Sequence, residues 1–391
     1  MSMYFVGIDI SKYKHDCCIL SAADQTVVTK FTIKNDKSGF EQLITTLHSL
    51  SNPEDIKIGF ESTAHYALNL ELFLENAHHS FMEINPVLIK EYKKSTSLRR
   101  TKTDSVDCES IARWLMTAEY KPHSKGFYHA YSLKSLTRLR DRLVRQRSFY
   151  LVKITNVLDH TFPEFKPFFH ERLSQTALYL LENYGSAEKM ARMNSASYEK
   201  LRSLSRGKFS PQQFLRLKEL ASNTVGINNS VFDVELSSLL TLYKSLVKEI
   251  STLEAEINKL IEEVHPHYMS VPGIGPISAA VIYSEYGDLS NFSTPAQMLA
   301  FAGIEPGINQ SGTESHGGRM VKHGSSQLRY TLINCCLPLI RFDMTFATYY
   351  AKKRAEGKPH RVAITHVAKK LVRVIYALER QGTDFNPQKI R

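Results

Sequence analysis

Nine apolar residues set three and four apart, Leu236, Leu239, Tyr243, Leu246, Ile250, Leu253, Ile257, Leu260 and Val264, constrain this chain more than any other feature. The spacing keeps one stripe of a long helix apolar, a coiled-coil seam that another helix must cover. A looser version runs through Leu136, Leu139, Leu143, Tyr150, Ile154 and Leu158, interrupted by Gln146 and studded with Arg138, Arg140, Arg142, Arg145 and Arg147. Pairing of the two helices with each other and pairing with another subunit both satisfy the pattern. Between them, residues 162–229 form a mixed stretch of helical segments and turn signals such as Arg206-Gly207-Lys208, which reads as an insertion without assigned function.

The N-terminal pattern is different. Tyr4 to Ile10 alternates, with Val6, Ile8 and Ile10 on one face and Gly7 and Asp9 on the other, the period of a half-buried strand. His15 to Leu20 and Val27 to Ile33 follow as strands around the turn Ala22-Ala23-Asp24-Gln25, an antiparallel meander. Helix Ser38–Leu50, strand Ile56–Glu61, helix Tyr66–Asn76, strand Ser80–Ile84 and helix Thr103–Ala118 complete the series. Three antiparallel strands and then αβαβα is the order of the ribonuclease H fold. After Pro266 the composition turns to glycine-punctuated small residues, with a second glycine-rich stretch over 303–324 and a last helix from Val362 to Leu378. The expected class is therefore α/β plus α. A ribonuclease H-like domain over 1–125 precedes a helical coiled-coil region over 126–266 and a separate, mainly helical domain over 267–391.

Charge narrows the partners. The 391 residues carry 50 Lys and Arg against 39 Asp and Glu, a net +11, with a pI near 9.2. A basic balance with both signs present points to a polyanion, because clustered cations release counterions on nucleic acid. At 42% apolar residues the chain is globular rather than disordered. No run approaches the length of a membrane span, since Leu332–Ile340 is about half of it and is followed by Arg341. The start lacks the pattern of a signal peptide, which points to the cytoplasm. The five cysteines, Cys17/Cys18, Cys108 and Cys335/Cys336, show neither a zinc spacing nor a disulfide framework.

Four acids stand out. Asp9 and Glu61 sit late in strands, opposite the apolar face, each with a glycine two positions earlier; Asp104 and Asp107 lie three apart at a helix start. Carboxylates from two strands and a helix can converge on a hard divalent cation. Helix capping and solvated strand ends account for the same residues taken singly. Ser311, between Gly307 and Gly312, lies upstream of Arg319, Lys322 and Arg329; it is either a turn residue or a nucleophile toward a phosphodiester. Gly273-Ile274-Gly275 is similar to the hairpin of helix-hairpin-helix modules, whose backbone N–H groups hold a phosphate; a tight interhelical turn is the other reading. The cationic stretch with Lys94, Arg99, Arg100 and Lys102, next to the acid pair, suits a substrate backbone.

As an ordered set these residues resemble the DEDD-type insertion-sequence transposases, the Piv-like or bridge-RNA-guided recombinases, over nearly the whole chain. The likeness rests on Gly7-Ile8-Asp9-Ile10-Ser11-Lys12, Glu61-Ser62-Thr63-Ala64-His65-Tyr66, Lys102-Thr103-Asp104 with Asp107, Pro272-Gly273-Ile274-Gly275, Phe301-Ala302-Gly303-Ile304-Glu305-Pro306 with Gln310-Ser311-Gly312, and Lys322-His323-Gly324 with Leu328-Arg329. It departs from the usual pattern at Cys108, where alanine is common, and in the long 162–229 stretch.

The resemblance implies a RuvC-like, Holliday-junction-resolvase-like N-terminal domain whose acids Asp9, Glu61, Asp104 and Asp107 hold Mg²⁺, and a C-terminal transposase domain whose nucleophile is Ser311. It implies strand transesterification through a phosphoserine–DNA intermediate, on donor and target DNA, guided by a structured bridge RNA. Shared sites in a dimer to tetramer and association with the nucleoid of a prokaryotic cell come with it. The RNA also fits the lack of a convincing helix-turn-helix, zinc finger or RNA-recognition sheet in the sequence, since pairing nucleotides then supply specificity. A metal-dependent junction endonuclease that uses water needs the acids but not Ser311. A domesticated nucleic-acid-binding protein or coiled-coil adaptor is expected to have lost some of the five residues, and all are present.

Overall fold

A computed structural model describes residues 3–61, 66–96, 104–122, 127–170, 173–311, 314–322 and 324–389. The chain divides into two compact units, Met1–Tyr128 and His129–Arg391.

In the first unit β1 (Tyr4–Ile10), β2 (Lys14–Ser21), β3 (Val27–Lys34), β4 (Ile56–Glu61) and β5 (Phe81–Ile84) form one sheet in the order β3-β2-β1-β4-β5. The meander β1–β2–β3 is antiparallel, and β4 and β5 join parallel. Val6, Ile8, Ile10, Ile58 and Phe60 face helices α1 (Lys37–His48) and α2 (Leu68–Asn76), which supply Phe40, Leu43, Leu47, Leu70 and Leu74. Phe5, Cys18 and Leu20 face the other way, toward Ile89 of α3 (Pro86–Thr96) and Cys108, Ile111, Ala112 and Leu115 of α4 (Asp104–Thr117). The alternation of β1 predicts a half-buried strand, yet the strand is covered on both sides, because Gly7 adds no side chain to the second face and a helix lies on it. Helix α3 is absent from the expected element order: its Lys-rich sequence buries little beyond Ile89.

The second unit begins with α5 (Phe127–Thr161), whose first two residues belong to the first, and is organised along α11 (Ser230–Val264). These are two 35-residue helices, each about 50 Å long. Arg140 pairs with Glu254 while His160 stacks on Phe232, so advancing along α5 retreats along α11 and the pair is antiparallel within one chain. Of the two pairings the sequence leaves open, the intramolecular one is observed. The seam is wider than its heptads: Leu236, Ile250 and Ile257 are buried, and so are Leu240 and Ile261 one step off the pattern. The reason is that α11 feeds a different core at each end. At one end Leu236 and Leu240 join Ile154, Val157, Leu158 and the five helices of the 162–229 stretch: α6 (Phe165–Phe168), α7 (Gln175–Asn183), α8 (Ala187–Ala191), α9 (Ser195–Leu204) and α10 (Pro211–Ser222). At the other, Ile257 and Ile261 join α12 (Pro276–Tyr286), α13 (Pro295–Ala302), α14 (Ser326–Phe342), α15 (Met344–Ala355) and α16 (His360–Gln381).

Between α13 and α14 the glycine-rich stretch is a hairpin, β6 (Pro306–Ser311) and β7 (Glu314–Met320), rather than an irregular loop. Its base is tied down. Val321 N–H donates to Glu305 O at 2.8 Å and Ser325 N–H to Phe301 O at 3.0 Å. The carboxylate of Glu285, buried in α12, accepts from Arg138 at 2.8 and 3.1 Å and from the Ser325 hydroxyl at 2.9 Å, while Ser325 caps α14. One buried acid thus joins α5, α12 and the start of α14. Burial alone pushes the Glu285 carboxyl up, but Arg138, Lys134 and Ser325 together outweigh it and hold it below the usual carboxylate range.

Two buried acids, shifted in opposite directions, make stability depend on pH. Glu285 has a depressed pKa, so its contribution is present at neutral pH and lost as the pH falls through the carboxylate range. Glu285→Ala is expected to cost about 2–3 kcal/mol at pH 7, from lost charge-assisted hydrogen bonds, and less at pH 4, read by thermal unfolding. Glu71, on α2 beside Glu83 of β5, is raised from 4.5 to about 9 by burial and then by its hydrogen bond to Glu83. The folded state keeps a proton that the unfolded chain releases, so Glu71 lowers stability as pH rises from 4.5 toward 9. Glu71→Gln is expected to raise the unfolding midpoint at pH 8 by about 2–4 °C and to leave it unchanged near pH 4.5.

Candidate functional site

Two missing side chains build the acidic end of the first unit. An ideal Cβ on Gly7 would fall 2.2 Å from Cys108 O and 2.4 Å from Ala112 N, so the α4 backbone rests directly on β1. At Gly59, the residue paired with Gly7 on β4, the space is taken by the side-chain methyls of Leu115 at 2.8 Å. Two residues further along each strand, on that same face, stand Asp9 and Glu61. The parallel register pairs Ile8 with Phe60, so its next step sets Glu61 beside Asp9. Both are half-buried. Helix α4 is pinned across the sheet by Lys30 of β3 to Glu109 at 2.7 Å, and beyond its end the Tyr120 hydroxyl donates to Ser80 O at 3.0 Å. Glycine at both contacts is what lets the helix carrying Asp104 and Asp107 lie on the face that carries Asp9 and Glu61.

Asp107 is engaged by Lys93 at 2.9 Å, in the last turn of α3. Lys93 belongs to the basic stretch that the sequence offers for a substrate backbone, and here it pairs with one of the four acids instead. Lys94 pairs with Glu91 at 2.7 Å on an exposed surface, a contact of little energy that leaves it available. Asp16 is a further acid that the sequence pattern does not mark. It sits opposite Asp9 on β2, hence on the same face, and is bonded to Lys14 at 3.1 Å and to the Thr32 hydroxyl. A second acid in the Asp9 strand pair is visible only once the register is known. Asp104 is placed by its backbone alone, at the first position of α4, and Arg99, Arg100 and Lys102 lie outside the described residues.

Asp9 and Glu61 are hard oxygen donors side by side at the ends of adjacent strands, and that donor chemistry fits a divalent cation. Among the described residues no three His, Cys, Asp or Glu side chains gather closely enough to hold an ion. Lys93 competes with a metal for the Asp107 carboxylate.

In the second unit Ser311 is the last residue of β6, paired with Glu314 at the tip of the hairpin; it and Arg319 of β7 are placed by backbone only. Lys322, just past β7, is exposed and makes no ion pair among the described residues. Arg329 is half-buried and donates to Ala302 O at 3.3 Å, so its guanidinium braces the end of α13 below the hairpin. Gly273 has φ +95°, and a Cβ there would meet Cys335 O and Pro338 Cγ at 2.9 Å; it is the close-approach residue against α14. Gly275 precedes α12 with open space around it, the position from which backbone N–H groups can face a ligand. No helix among the described residues is long and apolar enough to cross a membrane.

Comparison with known proteins finds relatives along the chain. A transposase model of the DEDD IS110 type matches residues 6–163, and the model described as transposase, IS116/IS110/IS902 family, matches residues 266–351. The chain is 31% identical to the 43.6 kDa protein of insertion element IS110 from Streptomyces coelicolor, over 59% of this chain and 58% of that one. It is 24% identical to the 42 kDa protein of insertion element IS900 from Mycobacterium paratuberculosis, over 98% and 97%. The pilin gene-inverting protein of Moraxella bovis is 22% identical over 99% of this chain and 98% of its own. The two models occur in order and together match well over half of the residues: the chain belongs to the IS110/IS116/IS902 family of insertion-sequence transposases.

Proposed function

We propose that this chain is a DNA transposase that cuts and rejoins strands by serine transesterification. The observation that carries the reading is the seating of α4 on Gly7, which brings the acid-bearing helix onto the face of Asp9 and Glu61. The sheet order β3-β2-β1-β4-β5, with β2 antiparallel to both neighbours, supports a ribonuclease H-like, RuvC-like unit. Asp9, Glu61, Asp104 and Asp107 would hold Mg²⁺, which supplies Lewis-acid stabilisation of phosphate charge when bound.

The remaining chemistry belongs to the chain's own residues. The Ser311 hydroxyl attacks phosphorus, the Oγ–P bond forms as the P–O3′ bond breaks, and the proton lost by Oγ is balanced by the one the leaving 3′ oxygen takes up. The ester so formed conserves the bond energy. A 3′ hydroxyl of the partner strand then attacks phosphorus and releases Ser311, so joining requires no nucleotide triphosphate. Lys94, Arg99, Arg100, Lys102, Gly273, Gly275, Arg319, Lys322 and Arg329 are the proposed contacts to nucleic-acid backbone. Donor and target DNA are the substrates, a structured bridge RNA selects them by pairing, and the working form is a dimer to tetramer. The similarity to a pilin gene-inverting protein of Moraxella bovis supports a DNA rearrangement as the outcome.

The test is a covalent-trapping assay with Mg²⁺, the flanking RNA and labelled donor DNA on a denaturing gel. An adduct is expected from the unmodified chain, absent with Ser311→Ala and reduced at least about 100-fold with Asp9→Ala. Cleavage without adduct, unchanged by Ser311→Ala, would remove the serine and leave a nuclease that uses water.

A further inference from the structure

Helix α16 carries a second charged feature that the sequence did not single out. One side of it, Ala363, Ile364, Val367, Ala368, Leu371, Val372, Ile375 and Leu378, is buried in the second unit. The other side presents His366, Lys369, Lys370 and Arg373, spaced three and four apart and so forming one stripe. From Met344 to Gln381 there are nine Lys and Arg against two Glu, and Lys353 takes one of those, Glu356, at 2.8 Å.

The stripe is built into the surface rather than scattered on it. His366, Lys369 and Lys370 are half-buried, and the Lys370 ammonium lies over the rings of Phe346 and Tyr349, 5.5 and 5.1 Å from their centroids. Among the described residues neither Lys369 nor Arg373 makes an ion pair. Burial, and after it the charges of Lys369, Lys353 and Lys358, holds His366 below the usual histidine range against the opposing charge of Glu356. Lys369 is also held down, first by burial and then by Arg373, with Glu305 opposing. An ammonium kept half out of water among like charges costs stability, and an approaching anion recovers that cost. Helix α13 packs against α16, and from the end of α13 at Ala302 the chain runs through Glu305, whose carbonyl accepts from Val321, directly into β6. Helix α16 therefore lies beside the root of the hairpin whose tip is Ser311.

We propose that His366, Lys369 and Arg373 of α16, with Lys353 and Lys358 beside them, bind the phosphates of the DNA strand presented to the Ser311 hairpin. The proposal rests on the transposase reading above and adds to it the surface that holds the strand. DNA rather than RNA is favoured because the stripe adjoins the hairpin assigned to strand cleavage.

The experiment measures binding apart from chemistry. The full chain is titrated with a fluorescent duplex of about 40 base pairs from the element end, and with an RNA of the same length, across about 50–300 mM KCl. Lys369→Gln and Arg373→Gln are each expected to lower the slope of log affinity against log salt for DNA by about one, and the double variant to bind about tenfold more weakly. Lys369→Arg and Arg373→Lys keep affinity and slope. Unchanged DNA affinity and slope in the Gln variants, an equal loss in the charge-keeping variants, or a loss confined to RNA would overturn the proposal. Wild-type adduct formation with Gln variants that bind normally sinks the surface alone. Charge-dependent DNA binding by a chain that forms no adduct leaves the surface standing and sinks the serine.

Discussion

The contact on which the first unit depends is made where a side chain is missing. Main-chain atoms of α4 at Cys108 and Ala112 occupy the volume that any side chain at position 7 would need. A methyl group there would force helix and sheet apart or tilt one against the other, and every acid proposed for the metal site would move with it. At Gly59 on the neighbouring strand the space is taken by the Leu115 methyls. The pinning of α4 by Lys30–Glu109 and by Tyr120 is then a refinement of a position already set by backbone contact.

The second unit solves a different problem. A hairpin with a glycine-rich, polar sequence has little apolar surface of its own, so its position is borrowed from its root. Glu285, Ser325, Phe301 and Glu305 supply that root with short hydrogen bonds, and Arg329 closes it from below. The antiparallel pair α5 and α11 joins this core to the separate helical core of the 162–229 stretch, so the buried stripe on α11, which keeps one heptad phase from Leu236/Leu240 to Ile257/Ile261, serves a different core at each end. Two cores on one long helix also give that stretch a structural reading where the sequence offered none.

How far the sequence could be read depended on what kind of force fixes each residue. Strands Tyr4–Ile10 and Ile56–Glu61 were legible to the residue because apolar alternation and flanking turns agree. The α3 helix and the β6–β7 hairpin were not, because Lys93-Lys94-Ser95 and Gly307-Ile308-Asn309 carry no hydrophobic period to detect. Gly273 shows what a glycine-rich turn hides: its positive φ and its close approach to Cys335 and Pro338 are set by the packing of α14 and are not visible in the sequence. Among the acids, Asp9 and Glu61 are legible from their glycine partners, while Asp16 needs the strand register and the pairing of Asp107 with Lys93 needs the position of α3. The α16 stripe was missed because its half-buried cations alternate with core residues and read as an ordinary amphipathic helix.

The central claim is that the face shared by Asp9, Glu61 and α4 is a divalent-metal site, and metal binding can be measured without DNA, RNA or turnover. Mn²⁺ titrated into the full chain and followed by electron paramagnetic resonance is the most direct measurement. The account predicts saturable binding that is lost in Asp9→Asn and in Glu61→Gln, with Lys93→Met strengthening it by freeing Asp107. Binding that is absent from the unmodified chain, or that survives both acid substitutions unchanged, would contradict it.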